Sequence, residues 1–198
     1  TNLAGYVVEK DRPQGDKIYR ADPFSVQVNE GNVLLLMGVP GTGKSSFIRG
    51  LLHYANSSAA VTYDPVLLEQ DSVFVNFMED TSCSFLVLED SDNFLSARTD
   101  GNSMMHRFLN VSNGLVSSKN KKLIFSTNLP NVRDVDPALV RTGRCFDVLH
   151  FEKLTPDQLS KLAVDLGIVV TDPNISTIAE LFHQKHLSSI KPTFGFNQ

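Results

Sequence analysis

The sequence predicts an α/β fold: a parallel sheet with helices on both faces, followed by a short helical segment. Three observations predict it. Strand-sized apolar runs such as Val33–Met37 and Phe85–Leu88 are continuous rather than alternating, as in strands buried on both faces. Stretches with helical periodicity separate them. The run Val33–Met37 leads directly into "GVPGTGKSS" (38–46), with three glycines and a proline between a strand and a helix.

The elements follow in order. Residues 1–30 read as an N-terminal segment packing on the core, weakly alternating in "YVVEK" and "KIYRADPFSVQV" and closed by the turn "NEGN". The α/β core spans 31–151. Val33–Met37 is its first strand, and Lys44–Tyr54 a helix burying Phe47, Leu51 and Leu52. Ala59–Tyr63 is a second strand, Val66–Met78 is helical in part, and Phe85–Leu88 is a third strand. A helix over Met104–Val116 carries Met105, Phe108, Leu109 and Leu115 inward. Lys122–Thr127 and Val148–Phe151 complete the sheet. Residues 152–198 form the short helical segment and a tail. There Thr155 is the N-cap, Pro156 opens the helix, Gln158 completes a capping box and Gly167 stops it. A second helix takes Asp172 as cap and Pro173 in its first turn, with Ile175, Ile178, Ala179 and Phe182 on its apolar face.

At 198 residues, with 41% hydrophobic and 20% charged residues, the chain has the composition of a globular protein. A net charge of −4 gives no broad basic field for nucleic acid. Cys83 and Cys145 lack metal-ligand spacing and read as reduced thiols of a cytoplasmic protein. No apolar run is long enough to span a membrane, and the N-terminus has no secretory pattern. The chain opens on Thr1 rather than Met, which points to a trimmed chain or a piece of a longer protein.

A strand, then G-x-x-x-x-G-K-S, then a helix is the context of a P-loop. Gly38, Gly41 and Gly43, with Val39, Pro40 and Thr42, let the backbone wrap so that successive N–H groups point inward. Those donors and the positive end of the following helix hold β- and γ-phosphates. Lys44 reaches the same oxygens, and the hydroxyl of Ser45, followed by Ser46, sits on Mg²⁺. "FLVLEDSD" then places Glu89 and Asp90 at the end of an apolar strand, where one carboxylate holds the Mg²⁺ shell and its neighbour orients the attacking water. In "IFSTNLP", Asn128 offers an amide that can hold water and γ-phosphate without adding charge. In "DPALVRTGR", Arg141 and Arg144 supply guanidinium groups of the kind that stabilise charge in phosphoryl transfer.

Taken together, "GVPGTGKS", "FLVLEDSD", "STN" and "DPALVRTGR" closely resemble the signatures of the AAA ATPases, P-loop NTPases with a helical lid. Residues 107–144 look like that family's second region of homology. The closest flavour is the branch containing the mitochondrial Rieske-protein translocase. The resemblance covers about residues 31–151. It implies an ATP- and Mg²⁺-dependent hydrolase with Asn128 as sensor 1. Arg141 and Arg144 become arginine fingers acting on a neighbouring subunit's nucleotide, in a homo-oligomeric ring, usually of six. The segment from Thr155 resembles the start of the lid. The implied partner is a macromolecule, protein rather than nucleic acid.

Three departures accompany it. The usual Asp-then-Glu order is reversed at Glu89–Asp90, which leaves Asp90 one methylene short if it orients the water; Asp92 keeps the third acidic position. The span from Lys44 to Glu89 is short, and between Tyr63 and Cys83 no glycine accompanies Phe74 and Phe77, which read as core or interface aromatics rather than a pore loop. No sensor-2 arginine is recognisable, and "KNKK" (119–122) reads as a solvated loop. Two functions follow: a ring ATPase that remodels or moves a macromolecule, or a nucleotide-dependent assembly switch with little hydrolysis. A small-molecule kinase would not need "DPALVRTGR".

Overall fold

The computed structural model describes residues 32–62, 64, 67, 70–96, 105, 108–109, 121–141 and 143–189. Five strands, β1 (Val33–Gly38), β2 (Ala59–Thr62), β3 (Phe85–Leu88), β4 (Lys122–Thr127) and β5 (Cys145–Phe151), form one sheet in the order β2-β3-β4-β1-β5. Every neighbouring pair is parallel. The helices are α1 (Lys44–Ala55), α2 (Asp71–Glu79), the single turn α3 (Asp92–Leu95), α4 (Pro156–Leu166) and α5 (Ile178–Ser189). The expected N-terminal segment, Tyr63 and the tail from residue 190 lie outside the described residues, as does most of the helix expected over Met104–Val116; of that helix, Met105, Phe108 and Leu109 are buried.

The unbroken apolar character of β1 has a geometric cause. Side chains alternate across a strand, so Val33, Leu35 and Met37 enter one apolar cluster while Leu34 and Leu36 enter another on the opposite face. The second face is covered by α1 through Phe47, Ile48 and Leu51. On the first face Phe74 and Phe77 of α2 are buried, as expected of core aromatics. Phe74 and Phe108 lie 5.1 Å apart between ring centres, and Phe94 stacks on Phe125 at 5.6 Å. Such pairs contribute about 0.5–1.5 kcal/mol each beyond the area they bury.

β5 begins three residues earlier than the apolar run suggested. Its first residues are only half-buried, and an irregularity in the pairing with β1 falls between Val33 and Leu34. The "KNKK" reading needs correction at Lys121, which is buried. Its ammonium donates to the carbonyls of Asp80 and Cys83 (2.6 Å for the latter) and lies 4.6 Å from the centre of the Phe77 ring. Carbonyl bonds and the aromatic face offset the cost of desolvating the charge.

After β5, α4 starts as its sequence dictates: Thr155 Oγ1 accepts from the Gln158 N–H (3.3 Å), Gln158 Oε1 accepts from the Thr155 N–H (2.9 Å), and Gly167 ends the helix at φ +63°. α5 starts later than expected. Asp172 instead closes a local turn, accepting from the Asn174 N–H at 2.9 Å. The cap is Thr177, whose Oγ1 accepts from the Glu180 N–H (3.3 Å) while Glu180 Oε2 accepts from the Thr177 N–H (2.9 Å). Ile178 is buried and Ile175 and Phe182 pack against the same cluster, but Ala179 is exposed.

Candidate functional site

The glycine-rich loop is shaped by close approaches. Gly38, at the end of β1, has φ +153°, and a Cβ there would lie 2.1 Å from the Phe151 carbonyl oxygen of β5. No side chain fits. Gly41 (φ +82°) lies under the start of α5: a Cβ would meet Ala179 Cβ at 3.1 Å and Thr177 Oγ1 at 3.2 Å. Thr42 is buried and its Oγ1 donates to the Val39 carbonyl at 2.8 Å, bracing the loop from within. Gly43 precedes α1 without any side-chain cap, and no acidic residue lies in the first turn. An uncapped helix start of this kind presents N–H donors and a positive end to an anion.

Lys44, the first residue of α1, is buried. Its Nζ donates to the carbonyls of Gly38 and Val39 (3.2 Å for Val39) and to Asn128 Oδ1 (2.9 Å). Burial holds its pKa below the ordinary lysine value, while Asp90, Asp92 and Glu89 pull the other way. Ser45 Oγ donates to Glu89 Oε2, so the hydroxyl on α1 and the carboxylate beyond β3 are already in contact. Ser46 is exposed on α1, and the Val39 side chain is also exposed. A hydroxyl and one carboxylate are a Mg²⁺ donor set of the sort completed by nucleotide phosphates and water. Among the described residues no cluster of three or more His, Cys, Asp or Glu side chains offers an all-protein metal site.

Asp90 adopts the left-handed region (φ +50°), a conformation few residues other than glycine take up without support. Ser126 supplies it: this buried hydroxyl on β4 accepts from the Asp90 N–H at 3.2 Å. The turn leaves the Asp90 carboxylate exposed, with Oδ1 3.4 Å from Asn128 Nδ2. Asp92 has a bracing contact at the end of β4, where its Oδ1 accepts from Thr127 Oγ1 and from the Asn128 N–H (2.8 Å). Sequence reasoning found Asp92 but not this contact, and it missed Ser126; the only signal was a pair of hydroxyls before Asn128 in "FSTN". A cleft of about 310 Å³ opens beside Gly38, Val39 and Asn128 at the carboxyl ends of β1, β4 and β5, with His150, Glu152 and Lys153 on its rim.

The arginines lie elsewhere. Because β1 and β5 run parallel and Val33 pairs with Cys145, the segment before Cys145 lies at the amino end of the sheet. The Val33 N–H donates to the Arg144 carbonyl at 3.1 Å. The P-loop leaves the carboxyl end of the same strand, roughly 17–20 Å away by strand rise. Arg144 Nη1 donates to the Ala138 carbonyl at 2.9 Å, across a turn in which the buried Asp136 accepts from the Ala138 N–H (2.9 Å). Arg141 is exposed. The structure therefore gathers the P-loop, Glu89, Asp90 and Asn128 into one place and sets Arg141 and Arg144 at the other end of the sheet.

The comparisons with known proteins agree with this architecture. The model of the ATPase family associated with various cellular activities (AAA) matches residues 34–153. AAA-ATPase At3g50940 of Arabidopsis thaliana is 32% identical over 148 residues, 65% of this chain and 31% of that protein. AAA-ATPase At4g25835 of the same plant is 28% identical over 192 residues, 80% of this chain and 37% of that protein. The 26S proteasome regulatory subunit 8 homolog of Naegleria fowleri is 25% identical over 158 residues, 71% of this chain and 37% of that protein. The chain thus spans only 31–37% of the length of these curated relatives. A chain in the structure of the E. coli MS115-1 HORMA:CdnC:Trip13 complex superposes with a TM-score of 0.64 at 15% identity, covering 85% of this chain and 70% of that one, which is likeness of fold. With a family match over more than half its length and a P-loop α/β sheet to carry it, this chain belongs to the AAA family of ATPases.

Proposed function

We propose that the chain is the catalytic core of a Mg²⁺-dependent ATPase that works as a homo-oligomeric ring, hexameric by family resemblance, and remodels or moves a protein partner. The observation that carries this reading is the separation of the arginines from the cradle. Guanidinium groups a full strand length from their own P-loop cannot reach its γ-phosphate, yet a head-to-tail neighbour can present them there. In this reading the N–H groups of Gly41–Lys44 and the Lys44 ammonium bind phosphate, the latter by exchanging its carbonyl partners for phosphate oxygens. Ser45 and Glu89 hold Mg²⁺, which when bound neutralises charge on the β- and γ-oxygens. Asp90 and Asn128 orient the attacking water, and Arg141, with Arg144, stabilises the transition state in trans. A protein partner is supported by kinship with proteasome regulatory subunits and by the acidic net charge.

The assembly-switch reading draws on one observation: the exposed Asp90 carboxylate lies 3.4 Å from the Asn128 amide, on a side chain one methylene shorter than the glutamate the family resemblance implies there. Sedimentation with ATP and Mg²⁺, with phosphate release read over a protein concentration series, separates the two. A ring ATPase releases phosphate faster per subunit as rings form, and Asp90→Asn abolishes that release. Tight binding with no release at any concentration leaves only the switch.

A further inference from the structure

The start of α5 is committed to the P-loop. Its second N–H, that of Ala179, donates to the Gly41 carbonyl at 3.0 Å. The buried Thr177 and the Ala179 methyl lie where any side chain on Gly41 would have to go. What fixes this edge is Glu180. Its Oε2 accepts from the N–H groups of Ser176 (2.8 Å) and Thr177 (2.9 Å), and its own N–H donates to Thr177 Oγ1 (3.3 Å). The same turn is tied to the strand-to-lid connection, where the Leu154 N–H donates to the Ser176 carbonyl at 2.7 Å. One carboxylate therefore organises a turn whose far side presses on the loop between Gly38 and Lys44.

We propose that Glu180 is a positioning residue for nucleotide binding: by capping α5 it seats Thr177 and Ala179 against Gly41 and holds the loop in a phosphate-competent shape. The inference rests on reading Gly38–Ser45 as a nucleotide cradle. It gives the chain, which lacks a recognisable sensor-2 arginine, a lid contact with the P-loop that needs no charge on the phosphates. Coupling is mutual: what the lid does to the loop, nucleotide on the loop does to the lid.

The test is equilibrium binding of a fluorescent ATP analogue to the full chain and four variants: Glu180→Ala, Glu180→Gln, Lys44→Ala, and Thr155→Val, which loosens the lid at the other helix cap. Glu180→Ala is expected to weaken binding about tenfold, within the usual range of coupling between sites. Glu180→Gln, which keeps an acceptor oxygen, recovers most of that loss, and Thr155→Val stays within about twofold of wild type. In turnover the Glu180→Ala defect appears in KM, with kcat at saturation preserved. Wild-type affinity in Glu180→Ala, or an equal loss in Thr155→Val, overturns the positioning role while leaving the cradle intact. No difference between wild type and Lys44→Ala overturns the cradle reading, and this proposal with it.

Discussion

The two functional regions differ in how they satisfy their charges. Around the P-loop the chain's own atoms occupy the polar groups: Lys44 holds two loop carbonyls and Asn128, Ser45 holds Glu89, and Asp92 holds Thr127 and Asn128. Among the described residues no buried side-chain nitrogen or oxygen lacks a partner. At the amino end of the sheet, Arg144 is tied to its own backbone while Arg141 projects into solvent. The first region is a closed network that a ligand must reopen. The second presents a cation outward, with nothing in reach of it on its own P-loop.

The largest effect should come from breaking the outward half. Arg141→Ala is expected to lower kcat about a thousandfold, the scale of an arginine supplied in trans, with nucleotide affinity little changed. Mixing that variant with Lys44→Ala chains should restore part of the activity, because each supplies what the other lacks. No gain in activity on mixing would remove the trans assignment. Arg144→Ala sharpens the contrast. Losing the Ala138 bond should also cost about 1–2 kcal/mol of stability in urea unfolding, which Arg141→Ala should not.

Next is the closed half. Lys44→Ala should weaken nucleotide binding about a hundredfold, since charge-assisted bonds contribute about 1.5–3 kcal/mol each, while the nucleotide-free melting temperature holds or rises because a buried ammonium is removed. A clear drop in that temperature would mean the Lys44 bonds stabilise the loop more than burial penalises it. Asp92→Ala should destabilise by about 1–3 kcal/mol through stranding the Thr127 and Asn128 donors, with Asp92→Asn milder in the same unfolding assay.

The smallest effect is protonic. With its pKa lowered by burial, folded Lys44 loses its proton before the unfolded chain does. The unfolded state therefore binds more protons in the window between the lowered value and 10.5, and stability should rise with pH across it. Phosphate favours the charged form, so nucleotide binding at alkaline pH should take up protons, readable by calorimetry in two buffers of different ionisation heat. Zero uptake would place Lys44 away from the phosphates.

What the sequence determined by itself is local. A strand ending in G-x-x-x-x-G-K-S, the apolar run ahead of Glu89–Asp90, and the Thr155–Gln158 capping box were all legible because each is fixed by spacing within a few residues. The same locality misled at Asp172, where a cap-like Asp-Pro pair outshone the Thr177–Glu180 box that starts α5. It misled again at Lys121, whose run of cations hid a side chain aimed at carbonyls far away in sequence. Only the tertiary structure decided that Ser126 supports the Asp90 turn, that α5 bears on Gly41, and that the arginines and the P-loop occupy opposite ends of the sheet. Those facts depend on strand order and parallel register, which crossovers set between distant segments and which no short window of residues encodes.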